Sequence, residues 1–294
     1  MKNIIQYIGI IVLILFSFFY TEKTVTTIKN QDPLMIELQN VKDDYNISPI
    51  NAEITDDKII PGMAGCEVNI EDSYYNLKRL GTFNSNLLEY EKTLPTSSVE
   101  DNYDKYITSG NKLKNSVSLI FKVEADTNID KVISILKSKN IKASFFIDGK
   151  YIENNIDKVS ELIKDGYEVL NYGYENQYDK DLLIWNNNLI ERLNYNNPKF
   201  CYVEKSDINT LNLCALNKMK TVMPNIIIKQ NPLLEVKEQI NKGSLISFKV
   251  NDVTIKELGL VINYITQKGY NIELLSSHLE ESTLNTCKKC DSCD

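Results

Sequence analysis

From residue 117 onward, short runs rich in β-branched and aromatic residues alternate with segments whose apolar residues recur at helical spacing. This alternation constrains the fold more than any other feature of the chain. Residues 117–123 read as a buried strand. Ile129, Val132, Ile133 and Leu136 then share one helix face, with Thr127 or Asn128 as the N-cap. The next strand is 143–147, and a helix with Ile156, Val159, Leu162 and Ile163 inward ends at Gly166, where a left-handed cap favours a residue without Cβ. Strand 167–170 follows, then a helix with Leu182, Trp185, Leu189 and Leu193 on its face, strand 200–203, helix 208–216 and strand 221–229. A stripe of Leu233, Val236 and Ile240 ending at Gly243, strand 245–250, helix 255–265 and strand 270–274 complete the series. Repeated β-α units over this length admit a barrel or a doubly wound sheet, and in both the chemistry belongs at the C-terminal ends of the strands.

Upstream the pattern is less regular. A nearly unbroken apolar run from Ile4 to Tyr20, preceded by Lys2, is long for a signal-peptide core and just long enough to span a thinned bilayer. With no small-residue cleavage site after it and no nearby cysteine to take a lipid, it reads as an uncleaved anchor, residues 1–24, leaving the rest of the chain outside the cytoplasmic membrane. Residues 25–115 read as a stalk and a small α+β region, including a helix from Ser73 to Leu80 capped by Asp72 or Ser73 and closed by Gly81. Tyr74, Tyr75 and Tyr90 fit the packing of a small core better than stacking on sugars. The expected main domain is 116–280, followed by a cysteine-containing tail, 281–294.

Six cysteines outside the cell point first to disulfides. Cys201 and Cys214 are placed to bridge if their Cα atoms approach. The tail Cys287, Cys290 and Cys293 offers three thiolates where structural zinc takes four ligands; His278 as the fourth is a weaker reading than tail disulfides, a bridge to Cys66 or free thiols. A formal net charge of -7 leaves no basic field to gather nucleic acid. The chain also lacks a phosphate-binding glycine loop after the first strand and a Gly-x-Ser-x-Gly elbow.

Several segments, in order, resemble the polysaccharide deacetylases with the NodB-homology domain: Val117-Ser118-Leu119-Ile120-Phe121, Ala143-Ser144-Phe145-Phe146-Ile147-Asp148-Gly149, Asp165-Gly166-Tyr167-Glu168-Val169-Leu170-Asn171, Lys242-Gly243-Ser244-Leu245-Ile246-Ser247-Phe248 and Lys268-Gly269-Tyr270. The resemblance implies an α/β fold, a distorted β/α barrel, here preceded by the small α+β region and the anchor. It also implies a divalent metal held by one aspartate and two histidines, a second aspartate as base and a late histidine as acid, hydrolysing an N-acetyl amide. Each of those positions is changed. Lys122 and Val123 stand for the two aspartates, Tyr172 and Asn176 for the two histidines, the Arg-Pro-Pro-Tyr segment falls at Cys201-Tyr202-Val203-Glu204, and Lys249 stands for the late histidine. Valine, tyrosine and asparagine cannot replace Asp-His-His as metal ligands, so no metal and no cofactor is expected.

The expectation is a catalytically inactive deacetylase-like protein, tethered to the cell membrane with its main domain extracytoplasmic, that binds cell-envelope glycan or an envelope protein. Glu124, Glu175 and Glu204 are the polar residues available to a cleft at these strand ends and the partners available to the lysines, although a solvated rim is the simpler reading. One alternative is an active N-deacetylase with a metal site rebuilt from Glu124, Asp126, Glu175, Glu204 and Asp252. Another is a structural tether using the tail cysteines. His278, the one histidine, reads as a surface residue.

Overall fold

The structure, a computed structural model, describes residues 10–17, 26–175, 177–195 and 197–282. Asn176, Cys287, Cys290 and Cys293 lie outside these residues, as do parts of the apolar N-terminal run. Residues 10–17 are helical. Among the described residues no helix is long and apolar enough to cross a membrane.

The strands in chain order are β1 (Glu53–Thr55), β2 (Lys58–Ile60), β3 (Gly65–Asn69), β4 (Glu89–Thr93), β5 (Tyr106–Ile107), β6 (Ser116–Val123) and β7 (Ser144–Ile147). They continue with β8 (Glu168–Asn171), β9 (Phe200–Tyr202), β10 (Lys220–Val222), β11 (Ile226–Ile227), β12 (Leu245–Lys249) and β13 (Asn271–Ile272).

The chain divides into two compact units. The smaller draws on residues up to Pro49 and on Ala64–Leu94; the larger comprises Ile50–Met63 and Pro95–Ser282. This grouping differs from the boundary expected at residue 116, because β1, β2 and β5 pair with strands of the main domain. Nor is the segment after residue 25 only a stalk. Pro33–Val41 is helical, with Asp32 accepting from the Leu34 amide at its N-cap and Pro33 in the first turn, where its missing N–H costs nothing. In the smaller unit Met35 and Leu38 pack with Val68, Tyr74, Leu77 and Leu88. The helix Ile70–Leu80 is capped by Asn69, whose side chain accepts from Asp72, so neither Asp72 nor Ser73 is its cap. Gly81, with φ 83°, closes that helix as its sequence implies.

In the larger unit a six-stranded sheet runs β11-β12-β6-β7-β8, with β13 also on β6, and a second sheet runs β1-β2-β5-β10-β9. All ladders of the six-stranded sheet are parallel. Side chains alternate along them. Phe121, Val123, Phe145, Ile147, Val169, Ile246 and Phe248 face the helix layer, with Phe121 stacked between Phe145 and Phe248 at 5.2 and 5.3 Å. Ile120, Phe146, Leu170 and Leu245 face the opposite way and meet Ile59, Ile107, Phe200, Tyr202 and Val222 of the second sheet. The two sheets thus enclose a shared interior, an open barrel-like form of an α/β fold.

Two local expectations shift and a third narrows. The single strand expected over 221–229 is two short ones in different sheets, β10 and β11, with Pro224 between them unable to donate to either ladder. The helix Lys180–Leu193 buries Leu183, Asn186 and Ile190, one position over from the expected stripe, which leaves Trp185 exposed. At the helix Asp130–Ser138 the Asn128 side chain accepts from the Asp130 amide at 2.9 Å, the second of the two expected caps, while Thr127 accepts from the Glu124 amide.

Candidate functional site

The ends of β6, β8, β9 and β12 converge on one mouth. In the parallel register Lys249 of β12 lies directly beside Lys122 of β6, two like charges whose direct juxtaposition is destabilising. Each cation has its own carboxylate. Lys122, only 11% exposed, is ion-paired with Glu204 just after β9, and its ammonium lies 5.8 Å from the Tyr202 ring centroid. Lys249 pairs with Glu124 at 3.1 Å and is largely solvated. Lys122 is therefore an enclosed cation, not part of a solvated rim. Val123 alternates to the other face and is fully buried in the core against the helices, so this position presents no side chain to the mouth.

The turn after β8 is fastened by Asn171. Its amide donates to the Leu183 carbonyl and the Asn187 side chain, and its oxygen accepts from the Gly173 amide and from Asn186. Gly173, at φ 75°, takes the left-handed conformation that a Cβ would strain, and such a Cβ would also overlap the Gln177 carbonyl. Tyr178 then clamps the turn to the neighbouring strand: its hydroxyl donates to the Asn171 carbonyl at 3.0 Å and accepts from the Tyr202 amide at 2.9 Å. Asn171 lies in the segment that carries the resemblance, but its fastening role is not readable from it, and Tyr178 carries no motif.

Tyr172 emerges from this turn edge-on to Tyr202, with centroids 5.7 Å apart. Burial, and then the charges of Glu204, Glu124 and Asp148, push its pKa up to about 12, so the phenol stays neutral and can donate a hydrogen bond. Burial raises the pKa of Tyr202 as well, and its hydroxyl shares a 2.8 Å bond with Ser247. Tyr172, Gln177, Tyr178, Tyr202, Glu204 and Asp207 line a cavity of about 570 Å³. Of the expected polar residues, Glu204 lines this space, Glu124 is committed to Lys249, and Glu175 pairs with Lys150. Asp252 sits in the first turn of the helix Asp252–Gln267. Asp148, fully buried, caps the helix Gly149–Asn154 by accepting from the Lys150 amide.

Cys201, at the position of the Arg-Pro-Pro-Tyr segment, is disulfide-bonded to Cys214 with Cα atoms 6.4 Å apart, tying β9 to the helix Ile208–Leu216. Cys66 is also disulfide-bonded. His278 is not on the surface. It is fully buried on the short helix Leu275–Leu279, with Nδ1 2.8 Å from the Ser118 hydroxyl, because that helix turns its inner face onto the start of β6.

The donor set does not suit the metal that this frame implies. The described ligand positions offer an isopropyl group and a neutral phenol where a carboxylate and an imidazole are needed, and an ammonium stands at the place of the base. Among the described residues no group of three or more His, Cys, Asp or Glu side chains is placed to hold a metal ion.

Residues 109–197 match the family model for polysaccharide deacetylase. The chain is 29% identical over 282 residues to the Bacillus subtilis protein YlxY, covering 89% of this chain and 88% of that one. Among solved structures, BA3943 of Bacillus anthracis, a CE4 family pseudoenzyme, shares the fold with a TM-score of 0.65 and 24% identity, over 87% of this chain and 98% of that one. The Bc1960 peptidoglycan N-acetylglucosamine deacetylase matches with a TM-score of 0.54 and 21% identity, over 60% of this chain and 94% of that one. Frame and family match agree over β6 to β8: residues 109–197 match the polysaccharide deacetylase family, on a fold shared with CE4 structures, and the motif positions described above are replaced.

Proposed function

We propose that this protein is a catalytically inactive deacetylase-like binder that holds an envelope glycan in the groove between the β8 and β9 exits, with its apolar N-terminus tethering it to the outer face of the cytoplasmic membrane. The observation that carries this reading is the Lys122–Glu204 pair: an enclosed ammonium with its own counter-ion stands where the family places its base. The lining of the cavity, tyrosine faces with carboxylates and amides, has the chemistry of saccharide recognition, apolar ring faces for C–H surfaces and polar groups for hydroxyls. BA3943, a relative in fold, is named as a pseudoenzyme, and a mutant of it as having restored activity. That history fits a groove that outlasts its catalytic centre. Glu124, Glu175 and Glu204 are each engaged by a lysine, which disfavours a metal site rebuilt from them.

The test is binding together with turnover. Purified protein should be retained on insoluble peptidoglycan, and Tyr172→Ala with Glu204→Ala should lower that retention about tenfold. It should release no acetate from N-acetylated oligosaccharides in zinc, cobalt or manganese. Acetate release that depends on an added metal would overturn the reading of inactivity, and retention unchanged in the double variant would overturn the groove. Recovery of the chain in the soluble fraction of lysed cells would overturn the tether.

A further inference from the structure

A second cavity opens where β12 and β13 begin, and its chemistry is opposite in sign to that of the whole chain. Lys242 precedes β12 and Lys249 ends it, so the strand separates this cavity from the mouth described above. The space, about 530 Å³, is lined by hydrogen-bonding groups from Thr108, Ser109, Lys112, Asn225, Asn241 and Lys242. Ile60 and Tyr270 supply apolar walls. No carboxylate lines it, in a chain of formal net charge -7. Among the described residues neither Lys112 nor Lys242 is ion-paired. Ser109 is 8% exposed and its hydroxyl has no hydrogen-bond partner.

The two turns that carry the lysines are fixed in place. The Gly110 amide donates to the Gly243 carbonyl at 2.8 Å. Gly243, at φ 84°, lets the Gly110 backbone come close enough that a Cβ would collide with it. Asn111, nearly buried, donates to the Pro61 carbonyl and accepts from the Leu113 amide. Asn241 accepts a backbone bond from Ser244 and donates its own amide to the Ser244 hydroxyl. The backbone that carries two lysines without ion-pair partners is therefore fixed at one concave surface, which brings both side chains to line the same space for an anion.

We propose that this cavity binds a phosphate monoester carried on a sugar or polyol. The two ammonium groups match a dianionic phosphate, and the hydroxyl and amide groups can donate to its remaining oxygens. The volume is far larger than a bare phosphate needs and falls in the range of small-molecule sites, so the rest of the ligand lies against Ile60 and the Tyr270 ring. The site is separate from the glycan groove and does not depend on it.

Isothermal titration of the full chain at low ionic strength tests the assignment, with glucose 6-phosphate, glycerol 3-phosphate, inorganic phosphate and glucose as probes. Glucose 6-phosphate or glycerol 3-phosphate should bind more tightly than inorganic phosphate, and glucose should not bind. Lys112→Gln and Lys242→Gln should each weaken binding about tenfold, the loss typical of removing one charge-assisted contact. Tyr172→Ala and the control Lys229→Gln should leave it unchanged. Both lysines are exposed, so the variants should keep the wild-type circular dichroism spectrum. Binding no tighter than that of inorganic phosphate would overturn the sugar or polyol class. No binding at 10 mM (roughly the weakest affinity of interest), or equal affinity in both lysine variants, would overturn the site.

Discussion

Acidification should destabilise this protein through a single imidazole. Ser118 donates its hydroxyl hydrogen to the Glu273 carbonyl at 2.9 Å, so toward His278 it acts as acceptor and Nδ1 carries the proton. Nε2 is then the bare nitrogen, buried without a partner and facing Gly110. Protonation would place an N–H and a charge there with nothing to receive them. Burial first, and the nearby Lys114 charge second, hold the His278 pKa down to about 4 from its ordinary 6.5. Because the folded value is the lower one, the unfolded chain binds the extra proton in this interval, and stability is complete above pH 6.5 and lost as pH falls toward 4. At 1.36 kcal/mol per pH unit, that separation amounts to ~3 kcal/mol. Glu168, buried at the start of β8, has its pKa raised by burial and acts in the opposite sense, so the imidazole must be isolated by difference. Urea unfolding of wild type and His278→Leu at pH 7.0, 5.5 and 4.5 measures it. Wild type should lose about 2 kcal/mol more than the variant across that range, the remainder being lost mainly below pH 4.5. Parallel pH profiles for the two proteins would refute the buried, neutral imidazole.

Gly110→Ala should destabilise by ~3 kcal/mol or prevent folding, since a Cβ there would lie 2.6 Å from the His278 Cδ2; thermal melting alongside Gly110→Ala/His278→Ala, which makes room, should show partial recovery. Asn171→Ala strands the Gly173 amide and removes one of the acceptors of the Asn186 amide, which keeps its bond to the Gly173 carbonyl, and should cost ~1–3 kcal/mol in urea unfolding, with amide exchange at Gly173 and Tyr178 rising more than in β6. Cys201→Ser with Cys214→Ser opens a loop of sequence separation 13 and should cost ~3 kcal/mol, read as the stability difference between variant and wild type under non-reducing conditions, a difference that added reductant should abolish.

The candidate site was legible mainly as a loss. The motif positions show from residue type alone that the described ligand positions cannot hold the family's metal, because neither an isopropyl group nor a neutral phenol can stand in for carboxylate and imidazole. What replaced the centre was not legible. Lys122 and Glu204 lie 82 positions apart, and only the packing of β9 across the shared interior from β6 decides that they meet. Asn171 belongs to a segment that carries the resemblance and Tyr178 carries no signal; the fastening role of both depends on which backbone groups the turn exposes. His278 was misplaced because a lone polar residue near a chain end is usually solvated. Its burial depends on the short helix Leu275–Leu279 folding onto the interior.

The order of strands and helices was written in the chain, since side-chain period is a local property and a buried parallel strand announces itself as an apolar run. Which stretches join which sheet was settled by the tertiary fold: residues 50–63 leave their chain neighbours for the larger unit, and Lys220–Ile227 crosses from one sheet to the other. Pairing between strands distant in sequence depends on which edges are free and which apolar faces still need cover, and those conditions exist only once the rest of the chain is in place.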